Sequence, residues 1–432
     1  MARDTDQTDR IAQLHPRERA VAIVRTLRDA GFTAYLAGGC VRDELLGLTP
    51  QDYDVATDAR PEAVQSLFRH TSAVGAAFGV VLVHAKPGTQ GGATEVATFR
   101  EDGAYSDQRR PDEVRFSTPE ADAVRRDFTV NALFLDPLAS GDGVIDFVGG
   151  RADLAARLLR AVGEPERRLA EDNLRALRAV RLACRLGFEL DARTGAAIRA
   201  HAADLAGVSK ERIGDEVRRV LAHPSRGRGV AMLRDLGLDV PVLSLPADDR
   251  GVAGVVAALP PQASGLEALV AWAVERHGTA AATNGGTRGD IASAWRRALC
   301  LSNTERAGLL GTLEVLGSLL GAWETEPVAA RKRRAAGAHF HPATIVLAAI
   351  DPDRATAVRA DAERLAADGI GLSTVPFVDG EDLIRLGGRP SPVFARVLSE
   401  LYDRQLDGRV RTKDDGMLAA RELLDSSGVQ GT

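Results

Sequence analysis

The chain is poor in cysteine, in lysine and in long apolar runs, and each shortage excludes something. Its three cysteines, Cys40, Cys184 and Cys300, stand far apart in 432 residues. That spacing excludes a disulfide scaffold and a cysteine-based zinc finger, and it fits a reducing cytoplasm. No apolar run approaches the roughly 18 residues that span a bilayer, so no membrane partner is expected. The segment from Met1 to Arg19 is charged and has no apolar stretch, which argues against a secretory leader. Only four of the 55 basic residues are lysine: Lys86, Lys210, Lys332 and Lys413. Arginine forks suit phosphate, but a GC-rich genome produces the same bias, and composition does not separate the two.

What remains is ordinary globular material, with 45% apolar and 27% charged residues and a net charge of −5. The length calls for more than one domain. Up to residue 150 two periods mix. Helical patterns at 17–30, 41–46 and 61–68 alternate with β-like runs at 33–37, 53–56, 80–85, 95–99, 131–136 and 144–147. This part reads as α/β or α+β. After Gly149 and Gly150 convincing strands stop, and long Ala/Leu/Arg helical patterns take over. Residues 151–234 carry 18 basic and 11 acidic side chains. Such a stretch fits a nucleic-acid footprint or solvated helix faces, and charge alone favours the second. The Gly/Thr-rich stretch 278–290 reads as a loop and a candidate boundary. The cluster from Arg331 to Arg334 reads as a solvated helix end, or else as a phosphate contact.

Four short segments carry chemistry. The run Leu36–Asp43 is a strand entering Gly38-Gly39 and then a helix, so the backbone can approach a ligand closely and Arg42 can add a charged fork to a triphosphate. Asp52 and Asp54 follow, two positions apart on a β-like run and therefore on one face. Mg²⁺ typically takes one or two carboxylates plus phosphate oxygens, so this pair is a metal candidate. Two-metal transfer favours a third carboxylate on a neighbouring strand, and Glu95 is the best placed. An exposed cross-strand charge explains Glu95 about as well. Arg125, Arg126 and Asp127 precede an apolar run, where an arginine could reach phosphate and Asp127 could orient it or accept from a ribose hydroxyl. Residues 171–181 read as one helix with Asp172, Arg175 and Arg178 on a polar face. Such a face, if it is not merely salt-bridged surface, could read a nucleobase edge. The charged stretch 100–116 reads as a mobile loop, either simply solvated or with Asp107, Arg109 and Arg110 contacting substrate or levering other residues.

Taken in order, GGCVRD, DYDVAT, RRDFTVNAL, DFVGGRADL and EDNLRALRAVRLACRLGF resemble the class II CCA-adding tRNA nucleotidyltransferases and the related bacterial poly(A) polymerases. The resemblance covers roughly residues 33–240, with a further likeness at 380–387. It implies an α+β fold: a nucleotidyltransferase head over 17–150 with a mixed five-stranded sheet, then an all-helical neck (151–222), body (223–375) and tRNA-binding tail (376–432). It implies Asp52 and Asp54 as holders of Mg²⁺; Glu95 stands as the candidate third catalytic carboxylate from its strand position alone. Gly38, Gly39 and Arg42 would meet the triphosphate, and Arg126 and Asp127 the nucleotide. Asp172 and Arg175 would pair with the incoming base, supported by Arg178 and Arg181. The expected activity is untemplated addition of CCA to the tRNA 3′ end from CTP and ATP with release of pyrophosphate, by a cytoplasmic monomer or weak dimer. Addition of A alone and poly(A) synthesis are the alternatives. The short, weakly basic C-terminus and the full-length loop favour complete CCA addition. No histidine is followed by aspartate, so no HD-type phosphohydrolase activity is expected.

Overall fold

The computed structural model describes residues 11–73, 79–86, 92–102, 114–246 and 251–426. The chain forms two compact units, one of residues 1–216 with 232–242 and one of residues 217–231 with 243–432.

The first unit is built on a mixed sheet. Its strands are β1 (Ala34–Ala37), β2 (Asp54–Thr57), β3 (Thr71–Ala73), β4 (Val80–His84), β5 (Ala93–Thr98), β8 (Phe134–Leu135) and β9 (Val144–Ile145), in the spatial order β3-β4-β5-β2-β1-β8-β9. Only β2 and β5 run parallel. The remaining pair, β6 (Arg100–Asp102) and β7 (Val114–Phe116), makes a separate antiparallel ladder. Alternation sorts the central strands: Leu36, Val55, Val81 and Val96 are buried on one face. Helix α1 (Pro16–Asp29) opens with Pro16 in its first turn and buries Ala20, Ile23, Val24 and Leu27 completely. The other face carries Tyr35, Ala37 and Ala56 beside a cluster of Phe99 and Phe134, whose rings meet edge to face at 5.9 Å. Asp54 and Glu95 belong to this second face.

Helices α2 (Gly39–Leu45), α3 (Pro61–Leu67), α4 (Pro119–Val124) and α5 (Gly150–Ala155) complete the head. Next come α6 (Pro165–Glu171), α7 (Arg175–Leu186), α8 (Ala192–Ala200) and α9 (Lys210–Ala222).

Four expectations need correction. The sheet has seven strands, not five, because the two- and three-residue edges β9 and β3 join it. The region after residue 150 is not purely helical, since Leu158–Leu159 pairs in parallel with Glu189–Leu190. Two residues per strand are too few to show a period in sequence. The single helix over 171–181 is two helices. Asp172 is extended (φ −157°, ψ 101°), and its carboxylate accepts from the Leu174 N–H at 3.1 Å. An aspartate offering its own turn competes with helix continuation. Finally, 278–290 is helical over Ala280–Thr283 and from Gly285 onward, because the Asn284 side chain caps the second helix through the Thr287 N–H. Asp107, Arg109 and Arg110 lie outside the described residues.

Among the described residues of the second unit the regular elements are all helices. Helices Gly265–His277 and Asn303–Gly321 both start with a capping box, Ser264 with Glu267 and Ser302 with Glu305. Trp272, Trp295 and Trp323 are buried in its core. Helices Gly380–Arg385, Pro392–Leu406 and Lys413–Ser426 share a separate cluster around Leu383, Val397 and Leu401. The basic cluster is paired with acids, and Arg333 is the exposed one of its four side chains. Lys332 is fully buried, giving one hydrogen bond to the Leu406 carbonyl (2.9 Å) and pairing with Asp368. Arg331, Arg333 and Arg334 pair with Asp361, Asp403 and Glu326.

Candidate active site

A cavity of about 600 Å³ opens in the first unit, lined by eight arginines and four aspartates. It gathers Gly38, Gly39, Arg42, Asp52, Asp54, Arg126, Asp127, Asp172, Arg175, Arg178 and Arg181, which the sequence singled out. Glu95 is not on its wall. It lies in a smaller adjoining pocket that shares Asp54, Arg125 and Arg126.

The acidic side is made by the start of β2. Asp54 is the first residue of that strand, and Asp52 stands exposed just before it. The β2–β5 register pairs Val55 with Val96, so Asp54 and Glu95, one position earlier on parallel strands, are same-face neighbours. Burial, then the charges of Glu95 and Asp52, push the Asp54 carboxyl up to about 7, against a smaller pull from Arg126. An acid crowded in this way gains from a cation. Among the described residues no three His, Cys, Asp or Glu side chains form a metal group by themselves. A cation here would therefore rest on two carboxylates and complete its shell from substrate and water, which suits the hard oxygen donors present.

The basic side is held by carboxylates from elsewhere. Gly38 has φ +77°, and a Cβ there would sit 2.8 Å from Arg126 Nη1. Only glycine meets both conditions without displacing the arginine. Arg126 stacks over Phe134 at 5.0 Å and donates to the Asn131 carbonyl and to Asp122. Asp122 is buried and also accepts from Arg125 at 2.6 Å. Burial alone would raise its pKa, but the charges of Arg126 and Arg125 hold it below the usual carboxylate range. Arg42 donates to Asp43 at 2.6 Å and to the Asn131 side chain, and Arg185 reaches the other oxygen of Asp43 at 2.8 Å.

The two helices α6 and α7 supply the far wall. Asp127 accepts from Arg178 at 2.6 Å and from Asn131 at 3.1 Å. Burial works against its charge, but Arg178, Asn131 and the Phe128 N–H together hold it down to about 2. Arg175 is fixed by Glu171 at 2.6 Å, Arg181 by the buried Glu216 at 2.6 Å, and Asp172 by Arg212 at 2.6 Å.

Sequence reasoning passed over Asp43, Asp122, Arg185 and Arg212. Two of them had a signal. Asp122 precedes Arg125 and Arg126 by three and four residues, and Arg185 follows Arg181 by one helical turn. Arg212, 40 residues beyond Asp172, had none.

Residues 34–160 match the Poly A polymerase head domain, and residues 187–245 match the family described as a probable RNA and SrmB-binding site of polymerase A. The chain is 41% identical to the CCA-adding enzyme of Geobacillus stearothermophilus over 237 residues, which is 54% of this chain and 57% of that protein. The chain thus spans little more than half the length of that relative. Its match to the CCA-adding enzyme of Limosilactobacillus fermentum runs over 418 residues at 32% identity, covering 94% of this chain and 97% of the other. The crystal structure of the Bacillus stearothermophilus CCA-adding enzyme in complex with CTP superposes with a TM-score of 0.72 at 30% identity, over 96% of this chain and 98% of that one. The Thermotoga maritima CCA-adding enzyme complexed with tRNA shares the fold, with a TM-score of 0.69 at 18% identity over 97% and 98% of the two chains. A likeness of that length and identity places the chain in the family of the CCA-adding enzymes.

Proposed function

We propose that the protein is a template-independent tRNA nucleotidyltransferase that adds C, C and A to tRNA 3′ ends from CTP and ATP and releases pyrophosphate. One observation carries the reading: Asp52 and Asp54 open into the same cavity as the arginines and the Asp172–Arg175 pair. Relatives that are called CCA-adding enzymes, one of them in complex with CTP, support the choice of substrates. Asp52 and Asp54 fit Mg²⁺, which would neutralise charge on the phosphates and on the attacking oxygen.

The protein's own groups do the positioning. Arg42 and Arg126 face the triphosphate, each steered by a buried carboxylate. Asp127 is held ionised and accepts from the ribose hydroxyls. Arg175 and Asp172 present donors and an acceptor to the base edge, and Arg178 and Arg181 close the wall beside them. Both Asp172 oxygens accept from protein groups, the Leu174 N–H and Arg212, so a nucleobase amino group must displace or share one of them. None of the three cysteines forms a disulfide, which suits a cytoplasmic enzyme. Among the described residues no helix is long and apolar enough to cross a membrane.

The test uses tRNA ending at the discriminator base, with labelled CTP, labelled ATP or both, in the presence of Mg²⁺. Two C from CTP alone and one A when both are present is the expected result. Long A tails from ATP alone would make the protein a poly(A) polymerase. A single A added only to tRNA already ending in CC would make it a partial enzyme.

A further inference from the structure

Asp52 and Asp54 both line the arginine cavity, and Tyr53 between them does not. Side chains alternate along an extended run, so the middle residue is turned the other way. Tyr53 is 8% exposed, and its hydroxyl donates to Glu44 Oε1 at 2.8 Å. The same oxygen accepts from Arg17 Nε at 2.6 Å, and Arg17 Nη2 donates to Glu44 Oε2 at 3.4 Å. Glu44 belongs to α2, which also carries Arg42, and Arg17 stands in the first turn of α1. One phenol thus ties the acidic side of the cavity to the helix that supplies an arginine of its basic side.

The two aspartates are not equally held by the sheet. Asp54 opens β2 and pairs with Ala37 on β1, so the ladder fixes its backbone. Asp52 is exposed and precedes the strand, in a stretch from Leu46 to Tyr53 that belongs to no helix or strand. That stretch leaves α2 through two bonds, from the Gly47 N–H to the Glu44 carbonyl and from the Leu48 N–H to the Asp43 carbonyl. Residues 49–53, with Pro50 among them, then carry the chain up to β2. A buried ring whose hydroxyl is held by a charge-assisted hydrogen bond leaves this approach few conformations. We propose that Tyr53 is a positioning residue: held by Glu44 and Arg17, it sets the Asp52 carboxylate against Asp54 so that the pair can grip one hard divalent cation. The inference rests on the nucleotidyltransferase reading above and adds what keeps the metal-holding pair in register with Arg42.

The experiment removes one oxygen and keeps the ring, its burial and both carboxylates. In the full-length protein with no nucleotide or RNA, Tyr53→Phe should raise the Kd for Mn²⁺, followed by the paramagnetic resonance signal of the free ion, about tenfold. With Mg²⁺, kcat for adding C to tRNA should fall about tenfold, while the KM for CTP stays within about twofold. Raising Mg²⁺ should restore part of the lost kcat, which a misfolded fraction would not show. Glu44→Gln reads the link from its other end. Its amide oxygen still accepts from the phenol but no longer carries the charge that Arg17 meets, so its effects should have the same signs and be smaller. A Mn²⁺ Kd within about twofold of wild type in Tyr53→Phe overturns the proposal, whatever happens to kcat or to the melting temperature. Should Tyr53→Phe fail to fold, an unchanged Mn²⁺ Kd in Glu44→Gln overturns it instead. The wild-type control separates the two readings. If it adds no nucleotide to tRNA, the functional reading fails, and the Mn²⁺ titrations still decide the role of Tyr53. If it adds nucleotides while both variants bind Mn²⁺ normally, only the positioning role falls.

Discussion

The two units use the same residues, arginine and carboxylate, to opposite ends. In the second unit each member of the Arg331–Arg334 cluster meets its own acid, and the cluster is spent on holding helices together. In the first unit eight arginines face a cavity with four aspartates on its wall, and Asp43, Asp122, Asp127 and Asp172 each grip or share them. Six acids hold those eight arginines, Asp43 and Asp122 serving two each, so the guanidinium groups are fixed in place while they still line the cavity. A basic run in sequence therefore says little by itself. What decides between structure and binding is how many counter-charges the fold brings to it.

The sharpest way to break this contrast is at Asp54. Its carboxyl titrates near 7 in the folded protein, above the ordinary value of about 3.9. The folded state therefore holds the proton more tightly than the unfolded one, and Asp54 costs stability increasingly as pH rises from about 4 to 7. Asp54→Ala should lower kcat by on the order of 10³-fold. The metal-free variant should nonetheless melt at or above the wild-type temperature at pH 8. A drop in melting temperature would mean that Asp54 is a structural residue.

Lys332→Met tests the other pole. It keeps the side-chain volume but leaves Asp368 and the Leu406 carbonyl without their partner. A loss of about 3 kcal/mol in the stability of the second unit is expected, measured by urea titration, with CTP affinity unaltered. Weaker CTP binding would contradict the division of labour between the units.

Asp127→Asn falls between the two roles. The pair with Arg178 should be worth about 2 kcal/mol, and its loss should raise the KM for both nucleotides. Because Asp127 titrates near 2 when folded, its contribution is complete above about pH 4 and fades as pH falls towards 2. A wild-type minus Asp127→Asn stability difference that persists at pH 2 would refute this. The smallest effect belongs to Arg333→Ala. That side chain is 38% exposed opposite an equally exposed Asp403, and its removal should change stability by about 1 kcal/mol or less.

These particulars also show what could be read in the chain beforehand. Helix α1 and strands β1, β2, β4 and β5 sit within two residues of their expected positions, because each has a strong period and buries one side. Asp52 and Asp54 were legible because their spacing is local. The break at Asp172 was not, because an Ala/Leu/Arg-rich context outweighs one turn-forming aspartate in any propensity sum. The acids that hold Arg42, Arg178 and Arg181 come from one to 51 residues away, and only the fold brings the distant ones in. Lys332 shows the same limit from the other side, since nothing in RKRR marks the second residue as fully buried.

That buried lysine has a consequence for proteolysis. The four residues Arg331–Arg334 are consecutive trypsin sites, yet they lie on the helix Val328–Ala336 and are held by partners at its every turn. A protease needs several residues of extended backbone, so cleavage there must wait until this helix opens. Opening it exposes Lys332 and releases four ion pairs together, which makes the opening a cooperative event and not fraying. The rate of cutting at this one tetrad then reports the equilibrium opening of the second unit at low protease and its unfolding rate at high protease.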